Sequence, residues 1–212
     1  MSNPNFVTVY AELTPNPNSV KFVANKMLLS NGTVEYLKKD DAINCPLAYQ
    51  LFDFTGVKAV FITSNFVTIT KQKDIDWYDI TNILREFIKG FLEGDEKLFI
   101  GSPFIKAEEK VAKEEVIEKK EITNVETPAT NIEYPADIEE QIKQMLDEYV
   151  RPAVEGDGGA IDFKSFANGK VTVILKGACS GCPSSTLTLK AGIENLLKKM
   201  IPLVTEVEAF SE

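Results

Sequence analysis

Apolar and polar positions alternate over Phe6–Ala11, stop at the cluster Thr14-Pro15-Asn16-Pro17-Asn18-Ser19 and resume over Val20–Val23. That pattern predicts two strands joined by a turn. From Pro46 to Phe54, Leu47, Tyr49, Leu51 and Phe54 recur at roughly helical intervals behind a proline suited to a first helical turn. Val57–Thr63 and Phe66–Lys71 predict a hairpin about Ser64-Asn65. Asp76 is then the expected N-cap of a long amphipathic helix, with Trp77, Ile80, Leu84, Phe87, Ile88 and Phe91 as core positions rather than a ligand platform. The first hundred residues are thus expected to form two strand pairs, each followed by a helix, with no element marked between Val23 and Pro46. Toward the C-terminus, Pro135–Val150 predicts a helix with Ile138, Ile142, Met145, Leu146 and Tyr149 on one face. Ile161–Phe166, the Asn168-Gly169 turn and Val171–Leu175 predict a hairpin. A helix over Pro183–Met200 and a last strand over Thr205–Phe210 complete the pattern.

Both patterns fade between Gly101 and Tyr134. No aromatic residue occurs from Ile105 to Glu133, and the run KAEEKVAKEEVIEKKE is built from Lys and Glu. Such a stretch cannot bury enough apolar surface to offset its ordering entropy, although (i, i+4) pairs such as Glu109–Lys113 can support a solvated helix. The fold class expected is therefore α+β: two small two-layer α/β sandwiches joined by a charged linker that is partly helical or disordered. The boundaries read as 1–100, 101–134 and 135–212.

Composition narrows the chemistry. The 212 residues carry a net charge of -9, which offers no field to attract a phosphate backbone, so nucleic acid is not an expected partner. No apolar run approaches the roughly 20 residues of a membrane span, and the opening MSNPNFVTVYAELTPNPNS has neither a basic start nor an apolar core, so a cytoplasmic protein is expected. The chain contains no histidine, which removes Ser-His-Asp and Cys-His catalysis and imidazole metal sites. Three cysteines are too few for a secreted disulfide framework.

Two of them, Cys179 and Cys182, stand in Gly177-Ala178-Cys179-Ser180-Gly181-Cys182-Pro183, between the second hairpin strand and the long helix. Two intervening residues let both sulfurs point at one centre, flanking glycines permit close backbone approach, and the helix start favours thiolate or an anionic cluster. The pair fits three readings: structural cysteines, a dithiol oxidoreductase, or ligands of a metal or cluster. Zinc or an iron–sulfur cube wants four ligands, so under the last reading two chains must meet, either around a cluster or as a zinc-bridged structural dimer. Cys45 is expected to be a small buried hydrophobe rather than a third ligand. The Asp157-Gly158-Gly159 turn is expected to serve backbone geometry rather than ligation, and the Thr14–Asn18 turn to be rigid first and a recognition loop second. Ser184, Ser185 and Thr186 are placed to hydrogen-bond near the sulfurs.

Residues 151–210, and above all GACSGCPSSTLTLKAGIE, resemble the C-terminal domain of NifU and the Nfu iron–sulfur proteins. The stretches TPNPNSVKF and CPLAYQLFDFTGVKAVFI, with the Trp-led helix, resemble the Nfu N-terminal domain. The resemblance implies that Cys179 and Cys182 bind a [4Fe-4S] cluster shared between two subunits, in a homodimer when loaded. It implies apo iron–sulfur clients and the cluster-assembly machinery as partners, with delivery of a cluster rather than enzymatic turnover as the function. The N-terminal domain, which shows no catalytic constellation, is read as the module that selects clients or donors. One departure stands out: the family carries an acidic residue after Asp157-Gly158-Gly159, where this chain has Ala160.

Overall fold

The computed structural model describes residues 6–102, 135, 137–180 and 183–211, with the side chains of 183–185 and 211 left aside. Within them two sheets with separate hydrophobic cores lie on either side, along the chain, of residues 103–134, which are outside the described residues and include the whole charged run expected as a linker. The fold is α+β.

The N-terminal sheet contains β1 (Val9–Leu13), β2 (Ser19–Ala24), β3 (Leu29–Tyr36), β4 (Val57–Ser64) and β5 (Phe66–Lys71), in the order β1-β2-β5-β4-β3, with every pairing antiparallel. The hairpin around Ser64-Asn65 forms as expected. The pairing of β3 with β4 corrects the expected scheme of strand pairs each followed by a helix. Its sequence, LSNGTVEY, hides the strand because Asn31-Gly32 interrupts the alternation, and the register shifts there, between Leu29 and Thr33.

Two helices, α1 (Pro46–Leu51) and α2 (Trp77–Glu93), cover one face of this sheet. The Asp76 carboxylate accepts from the Tyr78 N–H and so caps α2, as its position predicts. Alternate strand residues Val20, Phe22, Val60, Ile62, Val67 and Ile69 meet Leu47, Leu51, Leu84 and Ile88 in the core. Trp77 packs at the edge of that core, and its indole N–H donates to the Pro17 carbonyl 3.0 Å away. The opposite face is also buried in part, by Val23, Phe61 and Phe66. Strand β4 is therefore covered on both sides, which accounts for its near-continuous apolar run.

The C-terminal module opens with a helix that differs from the expected one. It starts at Ile138 rather than Pro135 and continues past Val150: α3 (Ile138–Met145) widens into a π turn over Leu146–Val150 and runs on as α4 (Arg151–Gly156). Pro152 has no N–H to donate and its ring would crowd the carbonyl four residues back, and the widened turn directly before it relieves both conflicts. The wider turn rotates the buried face to Ile138, Ile142, Leu146, Val150 and Val154, leaving Tyr149 50% exposed instead of on the core face.

Strands β6 (Gly159–Ala167) and β7 (Lys170–Gly177) form the hairpin, with Asn168 at φ 52° and Gly169 at φ 78°, the left-handed pair that a tight two-residue turn demands. Helix α5 (Pro183–Met200) carries the chain back, and β8 (Glu206–Ser211) pairs with β7 in parallel. Val171, Val173, Leu175 and Val207 face Ile193 and Leu197 in a two-layer core.

Candidate functional site

Strand β7 ends at Gly177 and helix α5 starts at Pro183, so the cysteine loop connects them. Gly177 has φ 66°, and a Cβ there would lie 2.7 Å from the Gly158 carbonyl oxygen and 2.9 Å from Phe61 Cδ1. Only glycine meets both demands. The loop then turns back on itself: the Ala178 N–H donates to the Gly158 carbonyl at 3.1 Å, and the Ser180 N–H and hydroxyl both donate to the Gly177 carbonyl. The Thr186 hydroxyl, in the first turns of α5, donates to the Cys179 carbonyl at 3.2 Å, which gives Thr186 the supporting place its sequence position implies.

Cys179 is 6% exposed and packs with the C-terminal core. Its sulfur presses on Gly159, where an added Cβ would lie 2.7 Å from Sγ and 2.6 Å from the Lys176 carbonyl oxygen. Gly159 is thus required by close approach, which gives the Asp157-Gly158-Gly159 turn its geometric role. Burial pushes the Cys179 thiol up to about 12, and the negative charge of Asp157 adds to the rise. This corrects the expectation that the helix start lowers the pKa: with the sulfur turned inward, desolvation outweighs the helix end. Cys182 lies outside the described residues.

Cys45 is fully buried among Tyr36, Leu47 and Ala48, as a small hydrophobe should be. Burial pushes its thiol from an ordinary 9.0 to about 11, against the pull of hydrogen bonds from the Ala48 and Leu47 backbone and the Tyr36 side chain. Because the folded pKa is raised, its stabilising contribution is intact below about pH 9 and is lost as pH rises toward 11. The expected loss is about 2 kcal/mol. Tyr36 is raised as well, first by burial and then by Cys45, so it steepens the same decline above its ordinary 10.0. Urea unfolding between pH 8 and 11, followed by Trp77 fluorescence, should show the decline, and Cys45→Ala should flatten it without abolishing it. An unchanged slope in that variant would refute the assignment.

Sequence reasoning missed the residues that flank the loop from the N-terminal module. Asn16, only 3% exposed, donates from Nδ2 to the Ala178 carbonyl at 3.0 Å while its Oδ1 accepts from the Asn18 N–H. Glu35 accepts from the Gly177 N–H at 3.0 Å, and the Thr68 hydroxyl donates to the Gly158 carbonyl at 2.7 Å. The signal available for Asn16 was its place inside a rigid Pro-Asn-Pro-Asn turn; Glu35 sits on a strand the pattern did not mark. A cleft of about 600 Å³ beside the loop is lined by Asn16, Asn18, Lys58, Lys71, Lys73 and Ser180 among others.

The described residues thus form two α+β modules, with a paired-cysteine motif between strand and helix in the second. The family model described as "Scaffold protein Nfu/NifU N terminal" matches residues 4–95, and the NifU-like domain matches residues 142–208. Over 206 residues the chain is 34% identical to the human NFU1 iron-sulfur cluster scaffold homolog, mitochondrial, covering 96% of this chain and 72% of that protein. It is 33% identical over 202 residues to NifU-like protein 4, mitochondrial, of Arabidopsis thaliana, covering 94% of this chain and 65% of that one. The chain therefore spans less than two thirds of the Arabidopsis protein's length. A solution structure of a NifU-like protein from Saccharomyces cerevisiae overlaps 48% of this chain and 92% of that one at 22% identity, with a TM-score of 0.42, a likeness that bears on nothing further. The chain belongs to the Nfu/NifU family of iron–sulfur cluster scaffold proteins. The names of the two curated relatives place them in mitochondria, so they add nothing to the expected cytoplasmic location. Among the described residues no helix is long and apolar enough to cross a membrane.

Proposed function

We propose that the protein carries a [4Fe-4S] cluster held by Cys179 and Cys182 of two chains and hands it to apo iron–sulfur proteins, without catalytic turnover of its own. The observation that carries this reading is the cysteine loop itself, held by glycine contacts between β7 and the start of the 18-residue helix α5, in a chain whose relatives are named cluster scaffolds. The donor set fits such a cargo. Thiolate sulfur is the usual cluster ligand, and the start of a long helix suits an anionic group. Each chain offers two clustered cysteines and no histidine. A cube wants four ligands, so in this reading two chains supply two cysteines each. The matched segments 4–95 and 142–208 fall within the modules we assign to 1–100 and 135–212, with 101–134 as the charged connection.

The dithiol oxidoreductase reading is weakened by the same site. An attacking thiolate must be exposed and ionise readily, whereas Cys179 is buried and its thiol is pushed up to about 12. Metal coordination deprotonates a thiol outright, so the raised pKa does not stand against a cluster carrier.

The deciding measurement is transfer. The loaded protein should activate an apo [4Fe-4S] enzyme faster than equal iron and sulfide in solution, and in the presence of a modest excess of chelator, because a carried cluster never passes through free iron. The apo protein should show negligible insulin reduction. Fast disulfide turnover without transfer would reverse the assignment, and tight zinc binding with neither activity would favour the structural dimer.

A further inference from the structure

The face of the N-terminal sheet turned away from α1 and α2 rests on the cysteine loop and the glycine turn beneath it. Val23, Phe61 and Phe66 close around Ala160, which is fully buried and lies on the face of β6 opposite the core residue Ile161. Around this small apolar contact, side chains of the N-terminal module take up backbone groups of the C-terminal one. Lys21 Nζ donates to the Gly156 carbonyl at 3.3 Å and the Thr68 hydroxyl to the Gly158 carbonyl. Glu35 accepts from the Gly177 N–H, and Asn16 donates to the Ala178 carbonyl. Two of these grips fall on the two residues directly before Cys179. Of the other two, one falls on the turn against which that cysteine packs and one on Gly156, the helix end that leads into it.

With the loop held from one side and Gly159 closing on the sulfur from the other, Cys179 is fixed facing inward. A cluster bridging two chains needs that sulfur turned outward, away from Gly159 and from the backbone that the N-terminal side chains hold. We propose that the N-terminal sheet is an intramolecular cap that holds the cysteine loop closed, and that loading requires the sheet to release it. The contact is suited to reversal. Among the described residues it combines a small apolar cluster with hydrogen bonds that water can replace on opening, the character of a transient interface rather than of a core. Ala160 is what allows the two faces to close, since a carboxylate at that position would be buried against Phe61 and Phe66. The closed state stands on the contacts alone, whereas its link to loading rests on the cluster reading above.

The test uses the full-length, reduced apo chain carrying Cys182→Ser, so that modification of the loop peptide by N-ethylmaleimide, followed by mass spectrometry, reports Cys179. Adding Ala160→Asp should raise the alkylation rate by roughly tenfold or more, because accessibility follows the population of the open state. Asn16→Ala should raise it by about threefold, since the closed arrangement loses the hydrogen bond to the buried Ala178 carbonyl. Amide exchange at Gly177 and Ala178 should accelerate in both variants while Val173, inside the β6–β7 ladder, keeps its protection. Circular dichroism checks that each variant folds; if Ala160→Asp does not, Asn16→Ala and Glu35→Gln carry the test. Equal alkylation rates across the folded variants would overturn the cap, whatever the amides do. With both cysteines restored, the same variants should take up iron and sulfide faster than the parent chain. Unchanged uptake alongside faster alkylation would overturn the link to loading, and no uptake in any chain would refute the cluster reading while leaving the cap in place.

Discussion

Cys179→Ser is expected to reduce cluster uptake to background. Anaerobic reconstitution of the parent chain should give about four iron per two chains, the content of one cube with four thiolate ligands. Serine at this position offers a hard oxygen that stays protonated where a metal-bound thiol does not. Losing one ligand per chain removes two of the four from a bridged site, so partial occupancy is not expected. The loss should not reflect unfolding. Exchanging sulfur for oxygen at a site that is 6% exposed costs about 1 kcal/mol, and the main C-terminal core contacts remain. Cys45→Ser supplies the contrast. It places a hydroxyl in the N-terminal core and should lower stability by about 1–2 kcal/mol, yet retain the full iron complement. On size-exclusion chromatography the loaded parent should run as a dimer and the Cys179→Ser chain should not. Iron retained by Cys179→Ser, or lost equally in Cys45→Ser, would mean that the ligand set is wrong.

Two glycine substitutions should move stability in opposite directions. Gly159→Ala introduces a Cβ 2.6 Å from the Lys176 carbonyl oxygen and 2.7 Å from Cys179 Sγ, so either β6 must part from β7 or the sulfur must leave its place. The carbonyl belongs to a paired strand and cannot yield cheaply. A loss of about 2–3 kcal/mol from the C-terminal module is expected. Gly192→Ala, in the middle of α5, meets nothing within 4 Å and removes a residue that disfavours helix, so a gain of about 0.5–1 kcal/mol is expected. The single tryptophan, Trp77, lies in the N-terminal module, so its fluorescence reports that half while amide exchange in β6 and β7 reports the other. A neutral Gly159→Ala would show that the sulfur and the strand are not held as tightly as the contacts imply.

Most of the architecture was legible because most of it rests on local pattern. The hairpin at Ser64-Asn65, the Asp76 cap, the Asn168-Gly169 turn and the long helix from Pro183 each have a local chemical cause, and each formed where that cause lies. The failures have local reasons too. The bulged strand β3 alternates only at Val34 and Tyr36, too briefly to be marked, and is held in place by β4. The first helix of the second module ran on because a π turn accommodates Pro152, an adjustment no periodicity announces. Phe61 and Phe66 were visible as strand residues, but nothing in their alternation said that the second face of the sheet would also be buried.

The candidate site divides in the same way. The sequence by itself supplied the candidate chemistry: two cysteines two residues apart, glycines beside them, a helix behind them and no histidine anywhere, a set that fits structural cysteines, a dithiol or sulfur ligation shared between chains. These are properties of residue type and spacing along the chain. Only the tertiary structure decided what surrounds the cysteines. It turned Cys179 inward against Gly159, and burial raised a pKa that the helix start alone would have lowered. It also brought Asn16 and Glu35, more than a hundred residues away in sequence, onto the backbone of Ala178 and Gly177. Desolvation and long-range hydrogen bonding depend on which surfaces meet, and that follows from how the two sheets dock, not from the pattern of any one segment.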